Sequence, residues 1–354
     1  MRKYLKFILL VLLAVLILWW FFRNLDWIEV SQSLRKADPI YLTLAVVIIC
    51  VGYLLRAIRW QVLLEPITES GLKELFATTT VGYAAIFLIG RAGEIVRPMW
   101  LPMRDRRVRP TAAVASLAVE RVFDLASLIC FFSVSLIWFQ ARPGLENDFA
   151  YIKLVGNLMF AGAAVGVIAL IVYQRKSSVI IDWVSRASDR RLIPGSLRTV
   201  FLSLMRQLAA SLEILKSWRE IFWVTFWTIG LWLAISVPTW LVILAFGLPL
   251  SFVDSIFIMG VASMGSLVPT PGGAAGAFHA ATAGGLILLG VDREAAAATS
   301  IIMHLVYFAP AVIFGIYYFI HGDISIERFR SLMSSEHAVE EIETDSPDFE
   351  TIHG

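Results

Sequence analysis

Apolar residues run along this chain in stretches far longer than one face of an amphipathic helix would require. Six stretches, at 5–22, 40–60, 111–139, 154–173, 221–246 and 297–320, each approach or exceed the ~18 residues that read as a helix crossing a bilayer. Two more, 75–103 and 255–289, are equally apolar but interrupted, the first at Gly90-Arg91-Ala92-Gly93-Glu94 and the second at Pro269-Thr270-Pro271-Gly272-Gly273. Breakers of this kind end a helix locally. The pattern therefore predicts an all-α polytopic membrane protein, with six full transmembrane helices and two re-entrant broken hairpins.

The distribution of Lys and Arg decides how the broken stretches enter. The basic clusters are Arg2/Lys3/Lys6, Arg104/Arg106/Arg107/Arg109, and a long segment at 174–220 that holds Arg175, Lys176, Arg186, Arg190, Arg191 and Arg198. Cytoplasmic loops collect such residues. A single crossing at 75–103 would put the second cluster outside, whereas a hairpin entering and leaving from the cytoplasm keeps all three inside. The same parity makes 255–289 re-entrant from the outer face and both termini cytoplasmic, in an inner (plasma) membrane. The order span, broken hairpin, span then occurs at 40–139 and again, inverted, at 221–320. Paired interrupted segments in two inverted halves are the sequence pointer to a transporter's binding site.

Composition agrees with this reading. The 354 residues are 58% hydrophobic and only 16% charged, against about 25% charged in an ordinary soluble domain. Trp19, Trp20, Trp60, Trp223, Tyr317 and Tyr318 sit at run ends, as expected of an aromatic belt. Cys50 and Cys130 lie inside apolar runs and are expected to be buried free thiols. The first stretch ends in Trp-Trp-Phe-Phe without a small-residue cleavage pattern, so an uncleaved anchor is expected. Residues 1–330 read as one membrane domain. Between its halves, Val179, Ile180, Trp183 and Val184 share one helical face opposite basic residues, which fits helices on an anionic cytoplasmic surface or packed beneath the membrane domain. Residues 331–354 read as an acidic disordered tail.

Charges at membrane depth cost at least about 2.5–3.5 kcal/mol each, so each needs a partner or a task. Arg91, Glu94 and Arg97 stand three apart at the first break and can meet on one helical face. Glu120, Arg121 and Asp124 lie about ten residues into the third span, roughly 15 Å deep. Together they fit either an ion-pair network stapling the hairpin to that span or a polar cavity that touches a headgroup. Arg56 and Arg59 can snorkel to phosphates from the end of the second span. Gly90 and Gly93, with Pro269, Thr270, Pro271, Gly272, Gly273 and His279, form two candidate gates, and His279 with His304 is a candidate proton relay. The sequence has no Ser/His/Asp or Cys/His arrangement, phosphate-cradling glycine loop or metal-ligand cluster. No enzyme activity, no metal, no cofactor and no nucleic-acid partner are expected.

Four motifs occur in order: Arg56-Ala-Ile-Arg59-Trp60-Gln-Val-Leu-Leu64, Arg91-Ala-Gly-Glu94-Ile-Val-Arg97, Glu120-Arg121-Val-Phe-Asp124 and Pro269-Thr-Pro-Gly-Gly273. On these, residues 5–325 resemble the lysylphosphatidylglycerol synthase transmembrane-region family of flippase-like membrane proteins. The resemblance implies a lipid-translocating domain, here expected to stand alone without the soluble synthase domain that follows in two-domain members. Gly90 stands where the family usually has Pro, and His279 where it commonly has an acidic residue. The expected function is a flippase for a polar-headgroup lipid or glycolipid, with membrane lipids as partners. The alternatives are an integral-membrane enzyme on a lipid-linked substrate, or a partner subunit of an envelope-assembly complex. A homo-oligomer fits any of these.

Overall fold

The computed structural model describes residues 26–65, 68–108, 110–138, 146–188, four positions between 202 and 212, 218–268 and 271–322. The expected anchor at 5–22, most of the basic segment beyond Ser188, Pro269, Thr270 and the acidic tail lie outside the described residues. Every regular element among those described is helical. In chain order they are α1 (Trp27–Lys36), α2 (Pro39–Leu64), α3 (Leu72–Ile89), a 3₁₀ turn (Gly90–Ile95), α4 (Val96–Arg104), α5 (Pro110–Trp138), α6 (Glu146–Arg175), α7 (Ser177–Ser188), α8 (Trp218–Ala245), α9 (Phe252–Gly265), α10 (Pro271–Leu288) and α11 (Arg293–Ile320).

Several starts have a local cause. Asp38 caps α2 by accepting the Ile40 N–H at 2.8 Å, and Pro39, with no N–H to waste, takes the first helical position. Ser251 and Asp254 form a reciprocal capping box at α9. Asp292 accepts the Ala295 N–H at 2.8 Å to open α11. Helix α1, which hydropathy alone does not reveal, begins on Asp26 in the same way.

Four of these helices (α2, α3, α8 and α11) are long and apolar enough to cross a membrane, and α5 and α6 run 29 and 30 residues. Their outward faces are apolar. Ile40, Val47, Ile313 and Ile320 are each more than half exposed, a surface that suits lipid and not water. Cys130 is exposed on this outer face, which corrects the expectation that it is buried. The correction has a simple cause: in lipid the apolar side of a helix can face outward, so an apolar run does not report burial.

Helix α2 packs along α8 in antiparallel register, with Gly52 against Ala234 and Leu55 against Gly230. Helix α11 crosses α3 so closely that a Cβ on Gly315 would fall 2.6 Å from the Thr80 carbonyl oxygen. Such crossings depend on small residues, because van der Waals contact replaces the hydrophobic effect between helices in lipid. The first interrupted stretch folds back on itself. The 3₁₀ turn presses on α3, where a Cβ on Gly93 would lie 2.4 Å from the Ala85 and Ile86 backbone, and α4 packs on α3 beyond it. The second interrupted stretch makes a like pair of α9 and α10. Gly272, Gly273 and Ala274 all take left-handed φ values of 72, 63 and 62° before α10 proceeds as an ordinary helix. Helix α10 also packs on α3 and on the 3₁₀ turn, so the two broken tips meet inside the bundle.

Candidate functional site

Apart from Arg91, whose side chain lies outside the described residues, the charged residues expected at membrane depth form two layers. The inner layer is fully enclosed. Arg97, 1% exposed, donates to both carboxylate oxygens of Glu120, at 2.8 and 3.2 Å, and Glu120 is 0% exposed. This forked geometry is the strong form of an arginine–carboxylate pair. The Arg97 guanidinium also lies over the Trp60 ring at 4.5 Å, and the Trp60 indole N–H donates to Ser116 at 2.9 Å. Arg59, likewise 0% exposed, donates to Asp124 at 2.6 Å and stands 3.4 Å from Glu120. One guanidinium therefore bridges the two carboxylates of α5, which helical spacing sets on one face. Removing one member would leave its partner charged without compensation, a loss of about 3–5 kcal/mol in buried pairs.

These contacts correct three sequence expectations. Arg59 does not snorkel outward; the carboxylates one helix away hold it inside. Trp60 is not an interfacial belt residue, because it forms the floor beneath Arg97. Glu94 and Arg97 do not share a helical face. The backbone between them passes from a 3₁₀ turn to α4, and the two side chains enter different layers.

The outer layer lines a cavity of about 420 Å³. At its polar end stand Arg56, Tyr83, Glu94, Arg121 and Asp124. Arg121 reaches Asp124 at 3.7 Å, and Arg56 lies over the Tyr83 ring at 4.9 Å. The remaining wall is apolar, with Leu128, Leu231, Trp232 and Phe278 among its side chains. Both broken tips contribute: Gly90 and Glu94 from the first, Leu267, Gly273 and Ala274 from the second. Most of the lining is buried or half-buried. The exceptions are Leu125 on α5 and Leu267 on the α9–α10 link, each 56% exposed, and they mark an apolar mouth on one side.

The histidines sit behind this wall. Their rings are 4.9 Å apart; His279 Nδ1 lies 3.3 Å from the Ser300 hydroxyl, and His304 Nε2 lies 3.4 Å from the Gly273 carbonyl. His304 thus steadies the left-handed turn, packed at tilted angles among the rings of Phe87, Phe278 and Phe308. Of the candidate gate residues, Gly90 and Gly273 line the cavity, while Gly93 is the contact that closes the first tip. Sequence reasoning missed Tyr83, Trp232, Leu125 and Leu267. An aromatic or leucine within an apolar run carries no mark that sets it apart from its neighbours.

No group of three or more potential metal ligands occurs among the described residues. What the arrangement can do chemically is hold an amphiphile. Charged and aromatic groups would take its polar end, apolar walls would take the portion next to it, and the mouth would release a chain.

These features define a polytopic α-helical membrane protein with a charged cluster enclosed in its interior. The chain belongs to the lysylphosphatidylglycerol synthase TM region family, whose profile matches residues 7–315. It is also similar to the glycosyltransferase AglD of Haloferax volcanii, with 29% identity over 335 residues, covering 86% of this chain and 52% of that protein. The chain therefore spans about half the length of this curated relative. The expectation that the chain is not an enzyme is corrected by this comparison, since a relative named as a glycosyltransferase matches most of it. A lack of recognisable catalytic spacing was too weak a basis for that expectation, because side chains meeting in a helical bundle need share no sequence motif.

Proposed function

We propose that the chain takes part in glycosyl transfer to a membrane lipid, and that its cavity holds the lipid partner of the reaction. The observation that carries this reading is the two-ended cavity, with Arg56, Glu94, Arg121 and Asp124 at one end and apolar walls opening at Leu125 and Leu267. Such a shape matches a molecule whose polar end must be sheltered while its hydrocarbon stays in the bilayer. The reaction class is supported by the similarity to a named glycosyltransferase, and membership of a membrane-domain family supports the lipid. The contribution proposed for this chain is to hold and orient the lipid. The basic clusters favour an orientation in a plasma membrane with α7 on the cytoplasmic side.

The experiment is to purify the chain with bound lipid, identify the lipid by mass spectrometry, and repeat with Leu128→Trp, which fills the cavity wall. A phosphate- or sugar-bearing lipid retained by the wild type and lost from the folded variant supports the reading. Identical lipid content in both overturns it.

A second reading is movement of the same lipid between leaflets. It is favoured by the meeting of two broken tips at one cavity, since interrupted helices at a shared site are the usual architecture for alternating access. Leaflet-selective quenching of a headgroup-labelled lipid in vesicles tests it, with quenching beyond the outer-leaflet fraction expected for wild type and lost in Glu94→Gln.

A further inference from the structure

A hydroxyl carries one O–H, and all but one of the hydroxyls lining the cavity donate theirs to the protein. Tyr53 donates to the Tyr307 carbonyl at 2.7 Å, Ser263 to the Met259 carbonyl at 2.7 Å and Ser266 to the Ala262 carbonyl at 2.9 Å. Tyr307 donates to Thr239, whose own O–H goes to the Ile235 carbonyl at 2.8 Å. Tyr83 is the exception. It is half-buried in the same lining, and its hydroxyl has no hydrogen-bond partner among the described residues. Its ring is nonetheless fixed, with Arg56 over the face at 4.9 Å and Tyr53 edge-on at 5.4 Å. An unused acceptor stands at the same end of the cavity. Arg59 donates to Asp124 Oδ1 at 2.6 Å, while Asp124 Oδ2 lies 4.0 Å from Arg56 and 3.7 Å from Arg121, both too long for a hydrogen bond. Arg56 therefore borders both the unused donor and the unused acceptor.

Resting on the reading of the cavity as a lipid site, we propose that it holds the sugar of a glycosylated lipid, with Tyr83 donating to one sugar oxygen and Asp124 accepting from a sugar hydroxyl. A hydroxyl both donates and accepts, so a sugar answers both groups without a charge. A phosphate offers Asp124 no hydrogen, and an ammonium offers Tyr83 no acceptor. A phosphoethanolamine headgroup divides the two tasks between two charges, each of which must leave water. The wall beyond carries Trp232 and Phe278, whose rings suit the C–H faces of a sugar. On this assignment the lipid in the cavity is the product of glycosyl transfer, and Tyr83 is the residue that distinguishes it from an unglycosylated lipid.

The test measures binding to the purified full chain by native mass spectrometry, using monoglucosyl diacylglycerol, phosphatidylethanolamine and phosphatidylglycerol with matched acyl chains, and free glucose as competitor. The wild type is expected to prefer the glucosyl lipid at least about tenfold over both phospholipids. Tyr83→Phe keeps the ring beneath Arg56 and removes a hydroxyl that no protein group uses. It is expected to leave thermal unfolding of the lipid-free protein unchanged and to weaken glucosyl-lipid binding about fivefold, the loss of one hydrogen bond. The same change at Tyr151, exposed on the outer face of α6, is expected to leave binding unchanged. Millimolar glucose is expected not to displace the lipid. Equal or tighter binding of either phospholipid would overturn the sugar assignment while leaving the lipid site standing. Undiminished glucosyl-lipid binding in Tyr83→Phe would overturn the role of Tyr83. Displacement by glucose would make this a site for free sugar, and binding of none of the three lipids would bring down the lipid-site reading itself.

Discussion

Arg97 lies directly across Gly82: a Cβ added at Gly82 would fall 2.2 Å from Arg97 Cγ. The missing side chain on α3 is the space through which the arginine of α4 reaches Glu120. Gly82→Val should therefore unseat the inner layer and lower stability by about 3–5 kcal/mol, as breaking a buried ion pair does. Gly71→Ala, where an added Cβ meets nothing within 4 Å, should be near neutral. Denaturant unfolding in detergent compares the two. Equal stability of both variants would mean that Arg97 finds another route.

Arg59 and Asp124 should behave as a unit. Asp124→Asn leaves the enclosed Arg59 with only a share of Glu120 and should cost about 3 kcal/mol or more. Arg59→Met together with Asp124→Leu should recover part of that loss, because the enclosed guanidinium is removed along with its carboxylate, while Arg121 and Arg56 still lose Asp124. A double-mutant cycle reads the coupling, and additive losses would contradict it.

The hydrogen-bonded guanidinium of Arg107 holds the Asp105 carboxyl below its ordinary range, with help from the Ser70 hydroxyl at 3.0 Å. Both residues lie in the link between α4 and α5, outside the helices. A carboxyl lowered on folding contributes stability above its unfolded value, near pH 3.9, and loses it as pH falls through the lower folded value. The stability gap between wild type and Arg107→Gln should thus be constant from pH 7 to about pH 5 and shrink below about pH 4. A gap that widens on acidification would contradict this assignment.

The left-handed turn before α10 predicts opposite outcomes at adjacent positions. Ala274 sits at φ 62° and is the only non-glycine residue with positive φ among those described, so Ala274→Gly should be neutral or stabilise by about 1 kcal/mol. Gly273→Ala adds a Cβ 2.9 Å from the Phe308 ring at φ 63° and should destabilise. Thermal unfolding of the two variants checks the sign of each.

The sequence made the breaks legible because glycine and proline act locally. Gly90 to Glu94 and the run ending at Gly273 mark the tips of both hairpins, and the predicted spans agree with α2, α5, α8 and α11 to within a few residues. Capping explains the early starts of α2 and α11, since Asp38 and Asp292 begin their helices before the hydrophobic runs do. The pairing inside the cluster was not legible. Arg59 meets Asp124 across 65 positions, and Gly82 admits an arginine 15 residues away only because a hairpin folds between them. The roles of Tyr83 and Trp232 depend on which face of an apolar helix turns inward, and in lipid neither face is marked by polarity.

A lipid headgroup is expected to enter the cavity between the two broken tips. The most direct measurement is photo-crosslinking of the purified chain with a lipid carrying a photoreactive group at its headgroup, followed by peptide mapping. Labelling centred on residues 121–128 and on the α9–α10 link, and lost in Leu128→Trp, is the predicted result. Labelling confined to the outer faces of α6 and α7, and unchanged in that variant, would contradict it.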